Sequence, residues 1–243
     1  MPQLPASTPL QPRKRAIVVG ASSGLGAALA KKLAREGWTL ALLARRSNLL
    51  ASLCADLNSG GATRALAYEH DVTELASVPE TLKKIIADLG GLDLFIYNAG
   101  VNFPPGLESM NAETDIQMAQ VNYLGAIAWL APVGDLFKGA KSGTIVGISS
   151  VAGDRGRIGN PGYNASKAAL TTYLEAMRNR FTRHGLHVLT VIPGFMQTDM
   201  LKAAQGATPF VIPPERAADD IYKAIVKRKQ LIYTPSIWRW IML

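Results

Sequence analysis

Cysteine is almost missing from this chain. Cys54 is its one example in 243 residues, so no intrachain disulfide can form, and the composition suits a reducing compartment. Histidine is nearly as scarce. His70, His184 and His187 stand at no recognisable metal-ligand spacing from one another, from the cysteine or from carboxylates, so no metal site is expected and all three read as helix-end or surface residues. No apolar run reaches the roughly 18 residues of a membrane span. Met1 to Pro12 is Pro-rich and polar and has no apolar signal-peptide core, so it reads as part of a disordered leader. Charged residues make up only 18% and hydrophobic residues 48%, which excludes a disordered chain and leaves enough apolar material for one large core. The expectation is a cytoplasmic protein, with membrane association left open by its C-terminus.

The charge present is unbalanced, at a net +8, and part of it lies in short runs: Arg13-Lys14-Arg15, Arg45-Arg46 and Lys227-Arg228-Lys229. Such runs are commonly solvated faces. No nucleic-acid-binding motif accompanies them, so no nucleic-acid partner is expected, and an anionic membrane surface or a phosphorylated cofactor is favoured.

From Ala16 onward, short apolar runs alternate with helical patterns. Strands are expected at Ala16–Val19, Thr39–Leu43, Ala65–His70, Leu92–Tyr97, Gly143–Ile148, His187–Ile192 and Leu231–Thr234. Helices are expected near Gly24–Glu36, Ser47–Leu57, Pro79–Leu89, Ala112–Phe137, Pro161–His184 and Pro214–Lys227. Continuous apolar strands separated by helices imply parallel strands buried on both faces. Right-handed crossovers then give an α/β, Rossmann-type, doubly wound sheet with helices on both faces, in a single domain. The expected organisation is a leader over 1–14, one α/β domain over 15–235 and an apolar segment over 236–243.

Ligands of such sheets bind at the carboxyl ends of the strands. Gly20, Arg45, Asp71, Asn98, Ser150 and Pro193 all lie there. The turn Gly20-Ala21-Ser22-Ser23-Gly24-Leu25-Gly26 joins a strand to a helix, so its glycines allow close backbone approach and the helix N-terminus offers N–H groups to phosphate. Glycines also serve plain turns, and the flanking strand and helix favour the phosphate reading. About 20 residues on, an acid would bind the ribose hydroxyl of NAD, whereas Ala44-Arg45-Arg46 offers guanidinium groups to the 2′-phosphate of NADP. NADP(H) is therefore the expected cofactor and NAD(H) the less favoured one. Asp71-Val72 could hold the adenine, and Asn98-Ala99-Gly100 could brace the loop beside the ribose; each could equally be a simple turn.

Tyr163 and Lys167 are four residues apart and share a helix face. A free phenol titrates near 10. A positive charge at ~4 Å with an effective dielectric near 20 is worth ~4 kcal/mol, enough to lower that pKa by roughly 3 units into the range for proton exchange. The spacing alone is common by chance. Ser150, at a strand end 13 residues earlier, could hydrogen-bond a substrate oxygen. Asn122, inside an apolar helix, must be paired if buried, and a water beside Lys167 would satisfy it.

Taken together, in order and near the expected spacing, these motifs resemble the short-chain dehydrogenase/reductase family over about Arg15 to Thr234. The resemblance implies a tetrad of Asn122, Ser150, Tyr163 and Lys167. Tyr163 would be the acid/base, Ser150 the substrate-oxygen ligand, Lys167 the ribose ligand and pKa modifier, and Asn122 the holder of a relay water. It also implies that Pro193-Gly194, Met196 and Thr198 flank the nicotinamide, with the Met196 backbone and Thr198 on its carboxamide. A homodimer or homotetramer through the two long helices is implied as well. Gly147 departs from the polar residue often found two positions before the Ser-Ser pair, and Val19-Gly20 departs from Thr-Gly. The stretch Ser149 to Arg157 resembles members acting on lipid-linked or bulky substrates, and Phe195, Met196, Met200 and Phe210 suggest an apolar pocket or a lid packed on its own core.

The expected activity is interconversion of a carbonyl and an alcohol by hydride transfer, on an apolar or lipid-like small molecule. Two other functions compete. A non-catalytic NADP(H)-binding regulator on the same fold should have lost the tetrad, and a membrane-associated scaffold leaves it unexplained. The end, Ser236-Ile237-Trp238-Arg239-Trp240-Ile241-Met242-Leu243, is apolar and aromatic; it reads either as an interfacial membrane contact or as a segment packed on its own domain or a partner subunit.

Overall fold

The computed structural model describes residues 14–61, 64–104, 110–202 and 208–242, so the expected leader, apart from Lys14, lies outside the described residues, as does Leu243. Seven parallel strands form one sheet. They are β1 (Arg15–Val19), β2 (Thr39–Ala44), β3 (Ala65–Glu69), β4 (Leu94–Tyr97), β5 (Thr144–Ile148), β6 (His187–Pro193) and β7 (Leu231–Thr234), in the order β3-β2-β1-β4-β5-β6-β7. The expected doubly wound fold is therefore present.

The strand pleat divides the core in two. Ala16 and Val18 point to one face, and Ile17 and Val19 to the other. The first face is covered by α1 (Gly24–Arg35), α2 (Ser47–Asn58) and α8 (Pro214–Val226), through Leu25, Leu29, Leu50 and Ile221. The second is covered by α3 (Val78–Leu89), α5 (Gly125–Ala140) and α6 (Pro161–Phe181), through Leu82, Trp129, Leu170 and Leu174. Covering both faces is why the central strands read as unbroken apolar runs. The edge strand β3 buries only Ala65, with Leu66 and Tyr68 half-buried and Ala67 and Glu69 exposed, which is why its signal is weak.

The helix expected over Ala112–Phe137 is interrupted. It consists of α4 (Ala112–Ala119), a π-helical turn over Gln120–Leu124, and α5. Two contacts accompany the interruption. The Tyr97 hydroxyl donates to the Val121 carbonyl at 2.6 Å, and a Cβ on Gly125 would lie 2.8 Å from both that hydroxyl and the Val72 carbonyl. π-Turns of this kind are frequent at functional sites.

Four short elements gave no periodic signal: 3-10 turns at Leu75–Ser77 and Val151–Gly153, α7 (Asp199–Lys202) and α9 (Trp238–Met242). The Gly147 departure has a packing reason. A Cβ there would come within 2.3 Å of Leu174 Cδ1, so α6 lies directly on β5 only because no side chain intervenes.

Two histidines are not at the surface as expected. His70 and His187 are both buried. His70 Nε2 accepts from the Trp129 indole at 3.2 Å, and His187 Nε2 lies 2.7 Å from the Lys229 carbonyl. Burial lowers both imidazole pKa values. The unfolded chain protonates them near 6.5 while the fold disfavours their charged form, so the unfolded state binds more protons around and below that pH and stability falls as pH drops. Denaturant midpoints should be lower at about pH 5.5 than at about pH 7.5, and His187→Gln should shrink the difference. An unchanged difference would remove His187 from the explanation.

Candidate active site

The site is built where β1 is flanked by β2 on one side and β4 on the other. Gly20 leaves β1 with φ +83, and its N–H and that of Ala21 donate to the Leu43 carbonyl at 2.8 and 3.0 Å. The Asn98 side chain, beyond β4, donates to the Gly20 carbonyl at 2.8 Å. Asn98 thus braces the loop, supplying the hydrogen bond that Val19-Gly20 has no hydroxyl to make. A Cβ on Gly26 would stand 2.0 Å from that same carbonyl, so helix and loop pack backbone to backbone. Ser23 caps α1 in extended conformation and spends no side-chain bond on the helix, which leaves its first turn facing the cleft. Leu25 is buried under the turn, and Gly24 adjoins Thr198, whose Cγ2 would be 3.1 Å from a Cβ there.

Arg46 reaches back over this turn and donates to Ser22 Oγ at 2.9 Å and Ser23 Oγ at 2.6 Å. Arg45 is exposed and pairs with Asp71 at 3.6 Å. Asp71 accepts from the Thr73 backbone and hydroxyl at 2.9 and 2.8 Å. Burial opposes its charge, but the Thr73 bonds and Arg45 outweigh it and hold the carboxyl below its ordinary value. Val72 is buried beside it. Two cations therefore stand at the end of β2, and the chain's own oxygens occupy them.

At the other end, the two serines after β5 divide. Ser149 is buried and its hydroxyl bonds the Lys167 carbonyl at 3.0 Å and the Thr171 hydroxyl at 2.7 Å, locking strand to helix. Ser150 faces the cleft and accepts from the Ala152 N–H at 3.1 Å. Tyr163 sits in the first turn of α6, where Asn160 caps its N–H at 3.3 Å. Its hydroxyl lies 4.0 Å from Met200 Sδ. Lys167 is buried one turn later, its Nζ donating to the Ile148 carbonyl at 3.0 Å and lying 5.8 Å from the Tyr163 ring centre. Gly100 leaves the room this amine needs, since a Cβ there would be 3.2 Å from Nζ.

Two expectations change. Lys167 does not bring Tyr163 below its ordinary pKa. Burial pushes the phenol up, with the Ser150 hydroxyl pulling the other way. Burial also pushes Lys167 down to about 8. Desolvation outweighs the attraction assumed at ~4 Å in a polar medium. The buried Asn122 side chain, moreover, needs no water. Its Oδ1 accepts from the Val101 N–H at 2.8 Å, and its Nδ2 donates to the Val101 carbonyl and Ser166 hydroxyl, each at 3.0 Å. Ser166 in turn donates to the Tyr163 carbonyl at 2.8 Å. The asparagine thus joins the loop after β4 to the helix that carries Tyr163.

One cleft of about 800 Å³ runs from Arg45 and Arg46 past Asn98, Ala99 and Gly100 to Ser150, Tyr163 and Lys167. Pro193, Gly194, Met196 and Thr198 close its side, with Thr198 N donating to the Met196 carbonyl at 2.8 Å. Asn122 does not line it and acts through its neighbours. Arg157, the end of the stretch likened to members acting on bulky substrates, lines it; Ile158 and Asn160 line it too and carried no motif signal, because loop residues reach a cleft only through the fold. Among the described residues no cluster of histidine, cysteine, aspartate or glutamate could hold a metal.

The family model of short chain dehydrogenases matches residues 14–208. An uncharacterized oxidoreductase of Myxococcus xanthus is 35% identical over 214 residues, 88% of this chain and 84% of the relative. One of Mycobacterium tuberculosis is 30% identical over 230 residues, 94% of this chain and 90% of the relative. A short-chain dehydrogenase from Sphingobium yanoikuyae solved with NADPH aligns with a TM-score of 0.84 and 27% identity, covering 93% and 90% of the two chains. A Burkholderia phymatum short chain dehydrogenase/reductase solved with NAD aligns at 0.86 and 24%, covering 94% and 91%, a likeness of fold alone.

Removing the asparagine bracket should be costly. Asn122→Ala leaves two backbone groups of half-buried Val101 unpaired, at up to about 1–3 kcal/mol each. A denaturant midpoint equal to that of the unaltered chain would contradict this role.

Proposed function

The chain belongs to the short-chain dehydrogenase family, and from that premise we propose that it is an NADP(H)-dependent oxidoreductase interconverting a carbonyl and an alcohol on an apolar small molecule, with Tyr163 as the acid/base. The observation that carries the reading is the shared cleft: two arginines stand at the end of β2, and a tyrosine, a serine and a buried lysine meet at the end of β5.

The residues present fit a phosphorylated dinucleotide. The glycine turn brings backbone to within van der Waals reach of a ligand, and a helix N-terminus faces the same point. Among the described residues Arg46 is held over that turn by two serine hydroxyls, neutral acceptors that a phosphate outcompetes. Arg45 and Arg46 would grip the 2′-phosphate, Asp71 and Val72 would flank the adenine, and Asn98, Ala99 and Gly100 would pass beside the ribose. Pro193, Gly194, Met196 and Thr198 would flank the nicotinamide. When bound, that cofactor supplies or accepts the hydride.

In the reducing direction Tyr163 gives its hydroxyl proton to the substrate oxygen as negative charge develops there. Ser150 donates a hydrogen bond to the same oxygen, an oxyanion role. Lys167 stabilises the phenolate left behind. In water an ammonium gives little, but the burial that depresses its pKa also removes the solvent that would screen it. The raised pKa keeps the phenol protonated until substrate binds, the Ser150 hydroxyl and the Lys167 ammonium favour release of that proton, and proton return to Tyr163 reverses the sequence in the oxidising direction. The cleft lining from Ile158, Phe195, Met196 and Met200 supports an apolar substrate. Exposed Ile116, Leu124 and Leu136 along the α4–α5 helix support association into a homodimer or homotetramer.

Oxidation of NADPH against a panel of apolar aldehydes and ketones tests the reaction. Tyr163→Phe should lower kcat by at least about 100-fold, the scale of a lost acid/base, with cofactor affinity kept. A chain that binds cofactor and is as inert as its Phe variant across the panel would instead be a regulator. Titration tests the cofactor. NADPH should bind more tightly than NADH, and Arg45→Ala/Arg46→Ala should weaken NADPH by about 10-fold or more while leaving NADH nearly unchanged. A preference for NADH in the unaltered chain would overturn the arginine argument.

A further inference from the structure

The C-terminal helix is split between two environments. Trp238 is buried in the domain, T-stacked on Phe195 at 5.7 Å and Phe210 at 6.0 Å and packed with Val151 and Ile192. It lies so close to Gly194 that a Cβ there would stand 1.9 Å from its indole nitrogen. Its neighbours bear the opposite character. Trp240 is 74% exposed, and Ile237 and Ile241 are exposed beside it. The lip of the cleft adds Ile158, at 86% exposure, and Phe210, stacked on Trp238, is 53% exposed.

These apolar side chains are set among cations. Arg239 stacks on Trp240 at 6.0 Å, and Arg155 and Arg157 reach Met242 from the loop after β5. All three arginines are exposed. Of the described carboxylates, Asp154 interacts with Arg155 and Arg157 and bonds the Tyr233 hydroxyl, and exposed Asp199 lines the cleft. Aromatic and branched side chains standing out between guanidinium groups match the layering of a bilayer interface, with acyl chains below and anionic headgroups around them. A protein partner would have to present an acidic rim about an apolar pocket, whereas a second copy of this chain brings a net charge of +8.

We propose that the mouth of the cleft and the outer face of α9 dock on an anionic lipid surface, with Trp240 and Ile241 entering the interface and Arg155, Arg157 and Arg239 on the headgroups. The cleft then opens toward the bilayer, and its apolar substrate passes between membrane and site without crossing water. Trp238 ties the docking helix to the loop over Pro193–Thr198 and to the turn after Ser150. The substrate route rests on the oxidoreductase reading; the docking surface does not.

Flotation with phosphatidylcholine vesicles, with and without phosphatidylglycerol, tests the proposal. The full chain should float with the anionic vesicles and lose binding as salt is added. Trp240→Ser/Ile241→Ser, which touches nothing in the core, should reduce partitioning by about 10-fold or more, with NADPH-dependent turnover of a water-soluble carbonyl unchanged. Arg239→Gln should reduce it by about fivefold, the worth of one interfacial cation. Tryptophan fluorescence should be quenched by brominated lipid in the full chain and spared in Trp240→Phe. Equal partitioning of the full chain and the double variant, or equal binding to neutral vesicles, overturns the proposal. So does absence of binding with a lower mass by light scattering in the double variant, which would assign the patch to a second copy. A chain that floats but reduces no carbonyl keeps the docking surface and sinks the reaction.

Discussion

The pairing of β1 between β2 and β4 is the constraint on which the site depends. Helices cover opposite faces of the sheet on either side of that strand, so the connections leaving its neighbours diverge and a crevice opens at its end. The crevice is held open by few bonds. Gly20 and Ala21 donate to Leu43 on one side, and Asn98 grips the Gly20 carbonyl from the other. Gly26 closes the arrangement because no other residue can rest on that carbonyl. A phosphate-binding turn results from strand order and backbone contact, with side chains adding selectivity at the rim.

The catalytic half is organised by burial. Lys167 is enclosed with the Ile148 carbonyl as the hydrogen-bond partner of its amine among the described residues, so its proton is held weakly, while the phenol beside it holds its own more tightly than in water. The same enclosure requires every neighbouring polar group to be matched. Asn122 satisfies Val101 and Ser166, Ser166 satisfies the Tyr163 carbonyl, and Ser149 satisfies Thr171 and the Lys167 carbonyl. This network fixes α6 against β5 and the loop after β4, and it sets where the Tyr163 hydroxyl stands. The π turn belongs to it, because it presents Asn122 inward at a point where a regular helix would carry the side chain elsewhere.

The departures from regular packing lie along the same cleft. Gly147 lets Leu174 lie on β5, and Gly194 lets Trp238 lie on the loop after β6. Each substitutes close approach for a side chain. The C-terminal helix consequently spans two environments: Trp238 packs inward on the domain, and Trp240, two residues later, faces solvent.

The sequence by itself determined the alternation of strands and helices, because burial on both faces leaves unbroken apolar runs that are visible without any contact information. It also determined which residues stand at the strand ends, since the chain passes through each end once and in order. Only the tertiary structure decided what those residues do with their neighbours. Ser149 and Ser150 are chemically alike, and the helix packed on β5 makes one a brace and leaves the other to the cleft. Asn122 was legible as a group needing a partner, but the partner, Val101, comes from a loop 21 residues away. Spacing placed Lys167 beside Tyr163, whereas the sign of both pKa shifts came from the depth at which the fold encloses them. Hydrogen-bond partners and dielectric surroundings are properties of non-local packing, and no local pattern encodes them.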